Sequence, residues 1–215
     1  MAVRAVRIDD VPAIAVLDGA LRWHPLRHHL GVRAFGVNAY SAAAAGDLVV
    51  EPHTEATSGA GGHEELYVVL TGHARFTVAG DELDAPAGTC VFLPDPAVRR
   101  EAVALAPATT VLAVGAEPGK PYEPSAWEWS FRAQPHIQAG AWERAAEIVE
   151  EGLSERPGDG SLLYNLACLE ARAGRLDDAV EHLAAALDAD PDSVREWSAD
   201  DDDLEPLRRR ADFPL

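Results

Sequence analysis

The chain has 215 residues, 47% of them hydrophobic, and a formal net charge of −18. That excess of carboxylates argues against nucleic acid, whose phosphates need clustered Lys and Arg, and against anionic membrane surfaces. The two cysteines, Cys90 and Cys168, fall in stretches of different character, so no disulfide framework is expected and the thiols fit a reducing compartment. No apolar run approaches the about 20 residues of a membrane helix, and Met1–Ile8 lacks the apolar core of a leader. These readings predict a cytoplasmic protein of one or two domains with no membrane partner.

In chain order, Val3–Ile8 alternates apolar and charged residues and reads as an added edge strand, followed by a loop or short helical turn over Asp9–Gly19. Arg22–Leu30 is the one basic patch, with three His and two Arg in nine residues. It could bind a metal or an anion, but Pro25 breaks helical His spacing and adjacent His28 and His29 break strand spacing. A connection on the rim of a barrel, with Trp23 and Leu30 packed inward, is the plainer expectation. Val32–Tyr40 and Asp47–Glu51 read as strands, and the Gly-rich Thr57–Gly62 as a flexible loop that either covers a site or is a surface insertion. Glu65–Leu70, Ala74–Val78 and Thr89–Leu93 are short runs rich in Val, Phe, Tyr and Thr, separated by Gly72, Ala79-Gly80-Asp81 and Pro86-Ala87-Gly88. Such runs predict antiparallel strands of a sandwich or small barrel, closed by Ala102–Leu105 and Thr109–Gly115. The Pro-rich stretch Glu117–Pro124 marks a domain boundary, giving domains over 1–124 and 125–215.

Within the first domain, Gly31–Pro124 resembles the cupin family. Glu65 and Gly72 stand at the spacing of the Glu and Gly of the first cupin motif, Gly46 lies upstream, and His53-Thr54-Glu55 occupies the place of its His-x-His. In the second motif Gly88 and Pro94 match, Pro96 replaces a Gly, and Arg99 stands where the family has a His. The resemblance implies a double-stranded β-helix, the cupin jelly roll, and homodimers paired through their sheets. It also implies a metal held by three His and one Glu. Here the corresponding residues are His53, Glu55, Glu65 and Arg99, and arginine cannot donate a lone pair to a metal. Arg99 is expected to face Glu65 as a charge-assisted pair. His63 could substitute, giving a mixed His53, Glu55, His63 and Glu65 site for a divalent transition metal; otherwise no cofactor is expected.

From Ser125 on, helix formers dominate. Leu163, Leu166, Ala167, Gly174, Leu176, Ala179, Leu183, Ala186 and Pro191 fall at the positions of a tetratricopeptide repeat, which Asp159–Asp192 resembles. One period of ~34 residues earlier, Trp129, Gly140, Trp142, Ala145, Val149, Gly152 and Pro157 form a weaker copy. Pro135 puts the first helix of that copy in doubt. Ser193–Trp197 reads as a third partial copy and Leu204–Arg210 as a closing helix. Trp127, Trp129, Phe131 and Trp142 are expected to tie about two repeats to the barrel or to a second subunit. The whole is a two-part α+β chain that resembles bacterial cupin–tetratricopeptide fusions, a β-barrel followed by helical hairpins.

Three functions fit. The first is a barrel that binds a small anionic molecule through His53, Glu55, Glu65 and Arg99, or regulates by doing so, coupled to repeats that meet a protein partner. The second is a metal-dependent enzyme of oxygenase or isomerase type. The third is a structural adaptor with a dimerising barrel. No nucleophile elbow, phosphate loop or Cys-x-x-Cys pair points to another enzyme class, and no catalytic residue is assigned.

Overall fold

The computed structural model describes residues 5–56 and 60–215. The chain folds as two compact units, Met1–Pro124 and Ser125–Leu215.

Among the described residues, the first unit has ten strands and one short helix. They are β1 (Ile14–Val16), β2 (Leu21–His24), α1 (Leu26–Leu30), β3 (Gly36–Ser41), β4 (Leu48–His53), β5 (Glu64–Thr71), β6 (His73–Val78), β7 (Asp81–Pro86), β8 (Cys90–Leu93), β9 (Arg100–Ala104) and β10 (Thr110–Ala116). One sheet runs β1-β2-β3-β10-β5-β8 and the other β4-β9-β6-β7, with every pairing antiparallel. From β3 to β10 the chain passes back and forth between the sheets, apart from the β6–β7 hairpin, and this is jelly-roll topology. That hairpin turns on two residues, Ala79 and Gly80, both at positive φ (52° and 94°). Glycine adopts that conformation freely, and two such residues give the turn the twist of its strands. Between the sheets, Val49, Tyr67, Val69, Ala74, Phe76, Ala102 and Val111 are at most 1% exposed. Each large apolar side chain removed from water there contributes about 1.5–3 kcal/mol.

The outer face of the first sheet is covered by the segment that precedes β1. Val11, Leu26 and Ala39 form a buried cluster, with Val6, Ile8, Val37 and Leu112 against it. This corrects the expected edge strand. Val3 and Arg4 lie outside the described residues, Ala5–Arg7 is irregular, and Ile8–Asp10 is a 3₁₀ turn. The alternation of Val6 and Ile8 serves packing on a sheet face rather than strand pairing. The added edge is the β1–β2 hairpin instead, and it takes in Trp23, which is fully buried. Of the insertion loop, Thr57–Gly59 lies outside the described residues, and Ala60–Gly62 is irregular.

The second unit has α2 (Trp127–Gln138), α3 (Trp142–Glu155), α4 (Gly160–Ala173), α5 (Leu176–Ala189) and α6 (Pro191–Ser198). Asp159 caps α4 by accepting from the N–H groups of Ser161 and Leu162, and Asp190 caps α6 by accepting from Ser193. The doubt raised by Pro135 is removed, because α2 runs through it. Lying in the last turn, Pro135 gives up one intrahelical bond without ending the helix early. The expected closing helix Leu204–Arg210 is corrected to a 3₁₀ turn at Asp202–Leu204 and further turns, since Pro206 has no N–H to extend a helix. Trp129 belongs to the core of this unit. It lies in a core with Ala133, Ala145, Val149, Leu162 and Leu166, and a Cβ on Gly152 would come within 2.8 Å of its ring. Gly152 is thus the space into which the indole fits. Trp142 carries the guanidinium of Arg172 4.6 Å above its ring.

Candidate functional site

Register carries a set of polar side chains into the space between the two sheets. In antiparallel pairs, facing residues share a side of the sheet. Glu65 lies across from Gly115 of β10 and Leu93 of β8, while Tyr67 pairs with Ala113, which in turn pairs with Asn38. The Tyr67 ring meets Phe76 of the other sheet at 5.6 Å, which fixes this side as the interior. On the second sheet His53, the last residue of β4, pairs with Arg100, the first residue of β9.

His53 is the centre of the cluster. Its Nδ1 lies 2.8 Å from the carbonyl of Glu51, which can only accept, so Nδ1 carries the hydrogen. Its Nε2 is 3.5 Å from Glu55 Oε1 and 3.6 Å from Glu65 Oε2. Glu55 is 5% exposed and accepts from the N–H of Gly61 through Oε2, which also lies 3.5 Å from His63 Nδ1. Glu65 Oε2 accepts from the Tyr67 hydroxyl at 2.5 Å and faces Arg100 Nε at 3.5 Å. His63 is 7% exposed, with its ring 5.5 Å from that of Tyr122. A Cβ on Gly61 would overlap the His63 ring at 1.9 Å, so the loop passes directly over it.

The charges are strongly coupled. Burial alone would lower the His53 pKa. The Glu65 carboxylate 3.6 Å away and the Glu51 charge overcome it and raise the value to about 9. Burial raises Glu51 and Glu55 above the usual carboxylate range; the neighbouring Glu65 charge adds to both, and the histidines pull back. Tyr67 is pushed well above its usual value, first by burial and then by Glu65.

Of the residues singled out by sequence, His53, Glu55 and Glu65 come together, each offering a ligand atom within 4.8 Å of the others. His63 joins through Glu55. Arg99 does not join, because it is exposed, and its neighbour Arg100, 0% exposed, faces Glu65 instead. The turn after Pro94, closed by the Val98 N–H on the Asp95 carbonyl, sets the phase so that Arg100, Ala102 and Ala104 point inward. Sequence reading also missed Glu51, Tyr67 and Asn38. Strand alternation held the signal for these three, whereas the phase at Arg100 depends on how the turn before it is wound. Arg100 donates from one terminal nitrogen to the Pro96 carbonyl at 3.3 Å. Its Nε and other terminal nitrogen, and the Asn38 side-chain carbonyl, are buried with no hydrogen-bond partner among the described residues.

A family model described as tetratricopeptide repeat matches residues 136–199. No curated protein matches the chain. Many solved structures do. A predicted oxalate decarboxylase from Thermotoga maritima is 18% identical, with a TM-score of 0.42 over 52% of this chain and 97% of that one. A sugar phosphate isomerase from a cupin superfamily, from Silicibacter pomeroyi, is 18% identical, with a TM-score of 0.42 over 52% and 74%. A Cupin 2 conserved barrel domain protein from Salinispora arenicola is 20% identical, with a TM-score of 0.39 over 54% and 87%. The strand order defines a jelly roll, and residues 136–199 in the unit that follows match the tetratricopeptide repeat. Among the described residues, no helix is long and apolar enough to cross a membrane.

Proposed function

We propose that the jelly-roll interior binds a small anionic molecule and that the helical repeats couple this to a protein partner. The observation that carries the reading is Arg100. A guanidinium at 0% exposure, whose Nε only faces Glu65 at 3.5 Å and whose second terminal nitrogen has no hydrogen-bond partner among the described residues, leaves buried donors poorly met. A carboxylate or similar oxyanion would satisfy them in the bidentate geometry that arginine favours. The Asn38 side-chain carbonyl would accept from a hydroxyl on the same ligand. Thermal unfolding in the presence of a panel of small mono- and dicarboxylates, phosphate and sulfate tests this. At about 100 times its Kd, a true ligand adds ~2.7 kcal/mol. No stabilisation by any member would count against it.

A second reading is favoured by the His53 tautomer. With Nδ1–H held by the Glu51 carbonyl, a neutral His53 directs the Nε2 lone pair between Glu55 and Glu65, the arrangement a metal-ligating histidine needs. The donor set of one imidazole and two carboxylates fits a divalent transition metal, with His63 adjoining through Glu55. Such an ion would polarise a ligand oxygen, as in enzymes of the oxygenase or isomerase kind. Metal content of the purified chain separates the two readings.

We further propose a cytoplasmic homodimer. Leu66 and Phe92 are cross-strand neighbours on the outer face of β5 and β8, 36% and 56% exposed, and Leu70 continues the apolar surface. Light scattering at micromolar concentration should give twice the chain mass, and a monomer would contradict it.

A further inference from the structure

On the outer face of the first sheet, away from the interior cluster, a serine, a histidine and a carbonyl stand in line. His24 is 6% exposed. Its Nδ1 lies 2.9 Å from the Val11 carbonyl, and its Nε2 lies 2.9 Å from Ser41 Oγ. The carbonyl can only accept, so Nδ1 carries the hydrogen and, in the neutral ring, Nε2 accepts the Ser41 hydroxyl proton. A nucleophile on a base that a third group orients is the arrangement that activates serine.

The place of Ser41 makes this more than a satisfied buried histidine. Ser41 is only partly buried and lines a cavity of about 700 Å³ between the Arg7–Asp9 turn and the sheet, with Arg22, Leu70, Thr71 and Thr110. The Trp23–Tyr40 and His24–Ala39 pairs, continued by one residue, bring Arg22 across from Ser41. Ser41 and Thr110 are paired, as are Thr110 and Thr71, so the floor of the cavity is a polar row. The backbone N–H groups after Ser41 are committed: Ala42 donates to Thr109, and Ala43 and Ala44 to the Asp47 carboxylate. Arg22 is therefore the group placed to face a negative oxygen forming beside Ser41.

We infer that Ser41 is a His24-activated nucleophile that takes the acyl group of small esters entering this cavity. Ser41 Oγ bonds to the ester carbonyl carbon as its proton passes to His24 Nε2. The carbon–alkoxide bond then breaks, and the alcohol leaves with that proton. Water, deprotonated by the same imidazole, attacks the acyl-serine, and the proton returns to Ser41 as the acid is released. The Val11 carbonyl holds the ring through both halves.

The test uses the full chain and p-nitrophenyl acetate. The wild type should release one equivalent of p-nitrophenolate in a burst and carry an acetyl group on the peptide containing Ser41. Ser41→Ala should abolish both with an unchanged circular dichroism spectrum. His24→Gln should slow the burst by at least ~100-fold, the scale of general-base assistance. A wild type that gives no burst, an acetyl group on another residue, or a burst kept by Ser41→Ala would overturn the inference. The wild type and Ser41→Ala decide between these outcomes even where a His24 variant fails to fold.

Discussion

The two units bury charge in opposite ways. In the helical unit Glu170 is 1% exposed, but one oxygen accepts from His182 Nδ1 at 2.7 Å and the other lies 3.5 Å from Arg175. Those partners are a third or more exposed, so their charges reach water even though Arg175 Nε is itself buried with no hydrogen-bond partner among the described residues. In the barrel, ionisable side chains crowd round His53 and Glu65, and the wholly buried Arg100 faces Glu65 at 3.5 Å while two of its nitrogens make no hydrogen bond among the described residues. A buried charge whose partners reach solvent belongs to the architecture. A buried charge with donors unmet in a polar interior points to a ligand.

The comparison can be broken at several points. The largest expected effect is in the helices. Trp129→Ala should cost roughly 3–5 kcal/mol, because the indole fills the seam between α2, α3 and α4. Urea unfolding followed by the helical circular dichroism signal measures it, and a cost below about 1 kcal/mol would show that the seam collapses around the gap. Next comes a pH effect in the barrel. His53 is raised from 6.5 to about 9, so its contribution is fully present below pH 6.5 and is lost as pH climbs through about 9. That loss should approach roughly 3 kcal/mol. The raised carboxyls of Glu51 and Glu55 act in the same sense, since the folded state holds their protons more tightly. His53→Gln should flatten the unfolding midpoint between pH 6.5 and 9. A smaller effect is expected at Glu170→Gln, about 1–2 kcal/mol, because the groups left behind can turn to water. His182 is raised by Glu170, so that stability also fades as pH rises, and the variant should lose this dependence. Smallest is Gly61→Ala, which must push the His63 ring aside. It should cost about 1 kcal/mol, the low end for overpacking, in urea unfolding, and an unchanged midpoint would show that the ring moves aside freely.

Much of this is legible in the sequence, and the failures have a common cause. Alternation and turn residues mark seven of the strands, and the small residues of the repeat mark α3, α4 and α5. Asp81–Pro86 reads as turns because its strand lies at the edge and carries Asp81, Glu82 and Asp84, which solvent tolerates. His53, Glu55 and Glu65 can be found because their spacing is local to two neighbouring segments. Arg100 is missed by one residue, since phase depends on how the Asp95–Val98 turn is wound, and a slip of one turns every side chain to the other face. Ser41 and His24 cannot be paired at all. They are 17 residues apart, and only the β2–β3 pairing joins them.

The central claim, that unmet donors in the barrel hold an anion, comes down to one titration. The anion that best stabilises the chain should be titrated calorimetrically into the wild type, Arg100→Lys and Arg100→Gln at about pH 7. The account predicts one site per chain. Arg100→Lys keeps the charge but loses the two-pronged donor, so affinity should fall about 10-fold; Arg100→Gln should lower it at least ~100-fold, the scale of a lost charge-assisted pair. Equal affinity in all three would show that the anion binds elsewhere and that the buried guanidinium serves only Glu65.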